Sequence, residues 1–274
     1  MPEMPEVRTV SSDMNKLIKG KTIKKVLVFN EKIVKDNTPS EFIKFLEGEK
    51  ILNISNIGKW IVTELTNEKI YLSHLRMTGR YNLHDKKHEL GKHTHISFIF
   101  NDGAELTFED PRRFATAHIR NKKDLWKTKP IITLGPEPDL KQVDYFFKKI
   151  NKSRRPIKTL VLDQTIILGY GNIYVDESLW MSNIHPLTKG NQITKLEAKN
   201  ILEIGKKIMD KSTKLGGSSI STYGSVNGKP GRYAEYIKVF RKNGKPCPNC
   251  KNIIKKIRVG GRGTHFCPNC QKQK

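Results

Sequence analysis

From Pro5 to about Lys19 the apolar residues Val7, Val10, Met14, Leu17 and Ile18 recur three or four positions apart, and Gly20 follows as a stop. That spacing predicts an amphipathic helix beginning almost at the first residue. Between Lys21 and Phe114 the pattern alternates instead. The segments TIKKVLVF, ILNISNIGKWIVTEL, KIYLSHLRM, HISFIF and AELTFED read as strands with little helix between them, and Asn101-Asp102-Gly103 joins the last two as a hairpin. Such a run of short strands predicts a β-sandwich or barrel rather than a parallel α/β sheet. Beyond Pro138 the period turns helical again, in VDYFFKKI, RPIKTLVLDQ, NIYVDESLWMSN and TKLEAKNILEIGKKIMDKSTK. The following stretch, GGSSISTYGSVNGKPGRYAE, is rich in Gly and Ser and reads as a mobile loop.

Chemistry concentrates at the two ends of this pattern. All four cysteines, Cys247, Cys250, Cys267 and Cys270, fall near the C-terminus as two C-x2-C pairs sixteen residues apart. Two such knuckles can set four thiolates around one zinc ion, and the short segment between them is too small to fold without a cross-link. With all four positions filled by protein, the ion is structural. A pair of disulfides is the alternative, and the lack of a secretory segment or any other cysteine favours zinc.

Charge changes the picture next. The chain carries 51 Lys and Arg against 27 Asp and Glu, a formal net charge of +24, so a polyanion is the expected partner. A Lys-rich proteome would raise the total as well, but position adds information. Basic residues gather at Lys19, Lys21, Lys24 and Lys25, at Lys152, Arg154, Arg155 and Lys158, and from Lys229 to Arg262. No stretch reaches the length of a membrane span, since TLVLDQTIILGYG is broken by Asp163, Gln164 and glycines. The start MPEMPEVRTV has neither a basic nor an apolar export segment. An intracellular protein of two domains plus a finger is expected.

The first residues hold a further candidate. Removal of Met1 would leave Pro2 with a free secondary amine of reference pKa about 8, and such an amine attacks an aldehyde-like carbon to give a cationic iminium directly. Glu3 stands beside it as a possible acid or base, and Glu6 lies in the first helical turn, where its charge suits the dipole. Taken alone, these residues read as a helix entry rather than as a site.

Taken with the rest, the chain resembles the bacterial formamidopyrimidine-DNA glycosylases of the wider group that includes endonuclease VIII. The resemblance covers essentially the whole length: MPEMPEV at the start, IGKW around Lys59, HLRMTGR from His74, DPRRF from Asp110, DQTIILGYGNIYVDE from Asp163, the Gly-rich loop, and GGRGTHFCPNCQ in the finger. It implies an α+β multidomain fold. An N-terminal helix with a β-sandwich occupies 1–135, a helix-two-turn-helix domain with the lesion-capping loop 136–236, and a zinc finger 237–274. It further implies a bifunctional glycosylase and abasic-site lyase of base excision repair. Pro2 would attack C1′ of the damaged nucleotide, Glu3 would serve as acid and base, and β,δ-elimination would follow, with Lys59 and Arg262 as proton donors.

Such chemistry needs the base outside the stack, and something must fill the gap. The resemblance assigns that to Met77, Arg112 and Phe114, and DNA contacts to His93, Arg154 and Asn172, with Lys158 on the same basic segment. Singly, Met77 could be core, Phe114 an inward strand residue, Arg112 or Arg113 a partner of Asp110, and Gly171-Asn172 an ordinary helix cap. Gly216 to Gly231 matches the segment that closes over an everted purine, which favours oxidised purines. Arg8 stands where the family often has Glu, and Phe240 where many members have tyrosine. The latter removes a hydroxyl that could donate to a phosphate, a contact worth about 1 kcal/mol. An endonuclease VIII-like enzyme for oxidised pyrimidines and a non-catalytic damaged-DNA-binding protein stay as alternatives. The expected state is a cytoplasmic monomer, nucleoid-associated when bound to double-stranded DNA with oxidised bases or abasic sites, carrying one zinc ion.

Overall fold

The structure, a computed structural model, describes residues 2–86, 89–218, 226, 228 and 230–274. The chain divides into two compact units, Met1–Ile132 with Leu215–Arg232, and Thr133–Lys214 with Tyr233–Lys274. In the first, helix α1 (Met4–Ile18) buries Val7, Val10, Met14 and Ile18 on one face, as the spacing predicts. Gly20, at φ +86°, takes the left-handed position that ends it. The Asn15 side chain accepts the Ile54 N–H at 2.8 Å, fixing the helix on the sheet beneath.

Two four-stranded antiparallel sheets follow. One runs in the order β1 (Ile23–Val28), β6 (Thr94–Phe100), β7 (Glu105–Glu109), β5 (Arg80–His84). The other runs β2 (Ile51–Ile57), β3 (Trp60–Leu65), β4 (Lys69–His74), β8 (Thr116–Asn121). Their inner faces meet in one core with Ile61, Tyr71, Phe98 and Phe108 among its members. Polar groups in that core are paired: Tyr71 and Tyr81 hydroxyls lie 2.7 Å apart, and Tyr81 donates onward to Ser73 at 2.8 Å. This bond joins the two sheets. Burial pushes both phenols well above their ordinary range.

The Asn101-Asp102-Gly103 hairpin forms, with Gly103 at φ +88° and the Phe100 N–H donating to Ala104 O at 2.9 Å. The strand reading needs three additions, since β5 and β8 lie outside the five segments it names and a helix stands among them. Helix α2 (Pro39–Leu46) interrupts the run of strands, and its start carries a complete capping box: Glu41 N–H donates to Thr38 Oγ1, and Thr38 N–H to the Glu41 carboxylate.

In the second unit α3 (Val143–Ile150), α4 (Ile157–Val161), α5 (Asn172–Met181) and α6 (Lys195–Lys214) form the helical segment. Helices α5 and α6 pack with Tyr170 filling the space beside Gly205, where a Cβ would lie only 1.6 Å from the phenolic oxygen. That hydroxyl donates to Ile201 O at 2.7 Å, so the glycine is required by the close approach. The finger is a two-stranded hairpin, β9 (Lys255–Val259) and β10 (Arg262–Phe266), flanked by the cysteine knuckles. Among the described residues no helix is long and apolar enough to cross a membrane.

Candidate active site and nucleic-acid interface

Pro2 and Glu3 sit at the entry of α1, and both are buried, Glu3 with 2% of its surface exposed. Glu3 occupies the N-cap position, and its N–H donates to the Glu6 carboxylate at 2.9 Å. The other oxygen of Glu6 accepts the Ser218 N–H at 2.7 Å. One carboxylate thus fixes both the candidate catalytic turn and the base of the Gly-rich segment. That base is a close crossing of backbones, since a Cβ on Gly231 would lie 2.2 Å from Gly217 O. Arg232 N–H donates to Leu215 O at 2.9 Å. The loop reading itself falls largely on 219–225, 227 and 229, outside the described residues.

Lys59 does not lie within a strand. ILNISNIGKWIVTEL folds as two strands joined by Gly58 and Lys59, with Ile57 paired to Trp60 and Gly58 at φ +55°, the conformation a two-residue hairpin takes at its first central glycine. Lys59 is only 7% exposed. Next to the turn, Trp60 packs edge-on against His74 at 4.8 Å and His118 at 5.4 Å. Burial, reinforced by the charges of Arg76, Lys59 and His118, lowers the His74 pKa to about 3. Its Nδ1 accordingly accepts the Arg76 N–H at 2.9 Å.

Met77, Arg112 and Phe114 lie on two loops of the same unit. Met77 is half-buried at the tip between β4 and β5, where Gly79 N–H closes the turn on Leu75 O at 2.8 Å and Arg76 takes φ +52°. Phe114 precedes β8 rather than pointing inward from it, and is 54% exposed. The Arg112 guanidinium lies over the Phe114 ring at 5.0 Å. Asp110, fully buried, receives the backbone N–H groups of Arg112, Phe114 and Ala115 at 3.1, 2.7 and 2.8 Å, and the Thr78 hydroxyl. His93 is half-buried, and its carbonyl accepts the Asp110 N–H at 3.0 Å.

The second unit holds the remaining candidates. Arg154 is exposed at the entry to α4. Asn172 begins α5 and donates through Nδ2 to Gly263 O at 2.8 Å. Lys158, expected among the DNA contacts, turns inward. It is 0% exposed, its ammonium 2.6 Å from Asp176 and 3.3 Å from Gly263 O, leaving no surface for a phosphate. Asp176 also accepts the His265 N–H at 2.8 Å. Arg262 stands exposed at the end of a Gly260-Gly261 turn, both glycines at positive φ. Phe240 packs edge-on against His265 at 5.1 Å, so its ring fills space where a hydroxyl would add a donor. The neighbouring carboxylate Glu177 receives the N–H groups of Lys238, Val239 and Phe240 at 2.8 to 2.9 Å. Burial raises its pKa against those bonds.

The Sγ atoms of Cys247, Cys250, Cys267 and Cys270 lie within 4.8 Å of one another. Four soft thiolate donors so gathered fit one structural zinc ion, with no position left for a substrate.

Sequence reasoning passed over Thr78 and Asp176, and read Asp110 only as a side-chain partner of Arg112 or Arg113, whereas its carboxylate takes backbone N–H groups. All three stand inside the quoted motifs, but their partners are backbone groups or residues distant in sequence.

Three family models match the chain in order: the formamidopyrimidine-DNA glycosylase N-terminal domain over 1–117, its H2TH domain over 134–224, and the zinc finger found in FPG and IleRS over 244–273. A formamidopyrimidine-DNA glycosylase of Mycoplasma mobile is 47% identical over 272 residues, covering 99% of both chains. Among solved structures, a Lactococcus lactis FPG mutant in complex with Fapy-dG-containing DNA is 35% identical, with a TM-score of 0.94, covering 99% of this chain and 100% of that one. The Lactococcus lactis enzyme in complex with abasic-site DNA aligns with the same identity and coverage and a TM-score of 0.93.

A helix-led β-sandwich, a helix-two-turn-helix segment and a four-cysteine finger, following one another along the chain in the order of the three family models, define a DNA glycosylase of base excision repair. The chain belongs to the formamidopyrimidine-DNA glycosylase family.

Proposed function

We propose that the protein removes oxidised purines, 8-oxoguanine and formamidopyrimidines, from double-stranded DNA and then cuts the strand at the resulting site, with Pro2 as nucleophile. The observation that carries this is the buried Pro2-Glu3 turn, held by Glu6 at the start of α1. Once Met1 is removed, the Pro2 nitrogen lone pair attacks C1′ and the glycosidic bond breaks toward the base. Glu3 then gives a proton to O4′ as the C1′–O4′ bond opens, and the nitrogen lone pair closes onto C1′ to leave a ring-opened cationic iminium. That cation acidifies the 2′ hydrogen and then a further one, and two eliminations release the strand on each side. Lys59 and Arg262 are the candidate proton donors for the first and second.

Met77, Arg112 and Phe114 fill the gap left by the everted nucleotide, Arg112 reading the orphan base by its donor fork. His93, Arg154 and Asn172 contact phosphates, while Lys158 acts from behind, on the hairpin that carries Arg262. The zinc ion holds that hairpin through Cys247, Cys250, Cys267 and Cys270. The functional segments are 1–135, 136–236 and 237–274, and the protein works as a monomer in the bacterial cytoplasm, nucleoid-associated when on DNA. The relatives' complexes with Fapy-dG and abasic-site DNA support this substrate class.

The test is borohydride reduction of the Met1-processed protein mixed with duplex DNA carrying 8-oxoguanine opposite cytosine. A covalent complex through Pro2 is expected, and its absence overturns the enzymatic reading in favour of a damage-binding protein. Faster cleavage at oxidised pyrimidines than at 8-oxoguanine would move the substrate to the endonuclease VIII class.

A further inference from the structure

The three proposed gap-filling residues come from two loops that are separate in sequence, Met77 from 75–79 and Arg112 with Phe114 from 111–114. Insertion between stacked bases works only if both loops present their tips in a fixed relation, because a wedge that yields gives back the unstacking energy it must supply. We propose that Thr78 and Asp110 are the positioning pair that makes the two loops one wedge, an inference that rests on the gap-filling reading above.

The geometry is specific. Asp110 is fully buried just after β7, and its carboxylate is held by N–H and O–H donors. Oδ1 accepts the Arg112 N–H at 3.1 Å together with the Thr78 hydroxyl, which reaches across from the Met77 loop. Oδ2 accepts the N–H groups of Phe114 and Ala115 at 2.7 and 2.8 Å. The backbone of Asp110 is held as well, since its carbonyl accepts the Arg113 N–H at 3.1 Å and lies 2.7 Å from His95 Nε2. Both loops need such bracing, because Arg76 and Arg113 hold φ +52° and +58°, a region that side-chain-bearing residues rarely occupy. Thr78 and Asp110 face each other, whereas Arg76, Pro111 and Arg112 are exposed. Of the bonds around Asp110, only that from Thr78 comes from the other loop, and it is made by a side chain, so it can be removed singly.

A cut at this bond should therefore uncouple duplex from single-strand chemistry. Excision of 8-oxoguanine from a duplex needs the wedge. Cleavage of a pre-formed abasic site in a single-stranded oligonucleotide needs only the Pro2 turn, because no stack is opened. In the full-length, zinc-loaded protein, Thr78→Val should lower single-turnover excision from the duplex by about tenfold, the scale of one hydrogen bond to a carboxylate. Single-stranded cleavage should stay within about twofold. Thr78→Ser, which restores the hydroxyl, should recover the duplex rate. Equal losses on both substrates, no loss on the duplex, or no recovery with serine would each overturn the pairing. Failure of the gap-filling reading looks different, since Phe114→Ala would then leave duplex excision unchanged, and failure of the enzymatic reading would leave the unsubstituted protein without either reaction.

Discussion

Two hairpins of this protein each deliver a candidate proton donor directly after a glycine turn, Lys59 after Gly58 and Arg262 after Gly260-Gly261, yet they are supported in opposite ways. The first is the edge of a sheet whose next residues, Trp60, Ile61 and Val62, are all buried, so hydrophobic packing fixes the turn and leaves Lys59 only 7% exposed. The second is a two-stranded ribbon, too small to hold itself. It depends on four thiolates at one end and on Lys158, Asp176 and Asn172 at the other, and it leaves Arg262 in solvent. The same local chemistry is thus made durable by a core in one case and by polar cross-links in the other.

The largest break in that comparison should come from removing zinc. Chelation should abolish duplex binding, followed by fluorescence anisotropy, while α1 and its sheets stay folded. Pro2 should remain reactive toward a small aldehyde under borohydride, and loss of that adduct would show that both supports share the metal. A smaller effect is expected from Asp176→Asn, which leaves the Lys158 ammonium buried without its counter-charge. About 3 to 5 kcal/mol should be lost from the second unit. Denaturant melts followed by zinc release would show it, and an unchanged midpoint would mean that Lys158 is neutral in the native state.

The least effect, and the one that sharpens the first hairpin's side, is pH-dependent. His74 is held near pKa 3 in the fold against 6.5 outside it, because burial and three neighbouring cations disfavour its charge. The unfolded chain therefore binds a proton that the native state refuses, so this contribution is intact above pH 6.5 and is lost as pH falls toward 3. From pH 7 to 5 the unsubstituted protein should lose about 2 kcal/mol more than His74→Asn, read from urea unfolding at each pH. Parallel slopes would show that the imidazole titrates normally.

Periodicity in the sequence was enough for α1, for β1 to β4, β6 and β7, and for the four helical segments, while the finger was legible from the spacing of its cysteines. Helix α2 escaped it although Thr38-Pro39-Ser40-Glu41 is a capping signal in plain view, since eight residues carry too little periodic pattern to stand out among strands. Lys59 read as a strand lysine because Gly58 is a weak mark inside an apolar run, and only pairing of Ile57 with Trp60 reveals the turn. Of the candidate site, the four cysteines were legible from their spacing, and Pro2 and Glu3 drew notice by their chemistry, their role being the one proposed above. Lys158 was not, for a lysine in a basic cluster looks solvated until Asp176 arrives from eighteen residues away. Thr78 was hidden for the same reason, and Asp110 was read for an arginine side chain because a carboxylate's bonds to backbone amides leave no mark in the sequence.

The double grip of Glu6 sets an order in time. Its carboxylate ties the amide of residue 3 to that of residue 218, and the second of these bonds spans the 212 residues from Glu6 to Ser218. A chain emerging from the ribosome can form the first tie at once, but must wait for most of its length before making the second. The candidate nucleophile is thus among the first residues made, and its surroundings are among the last to close.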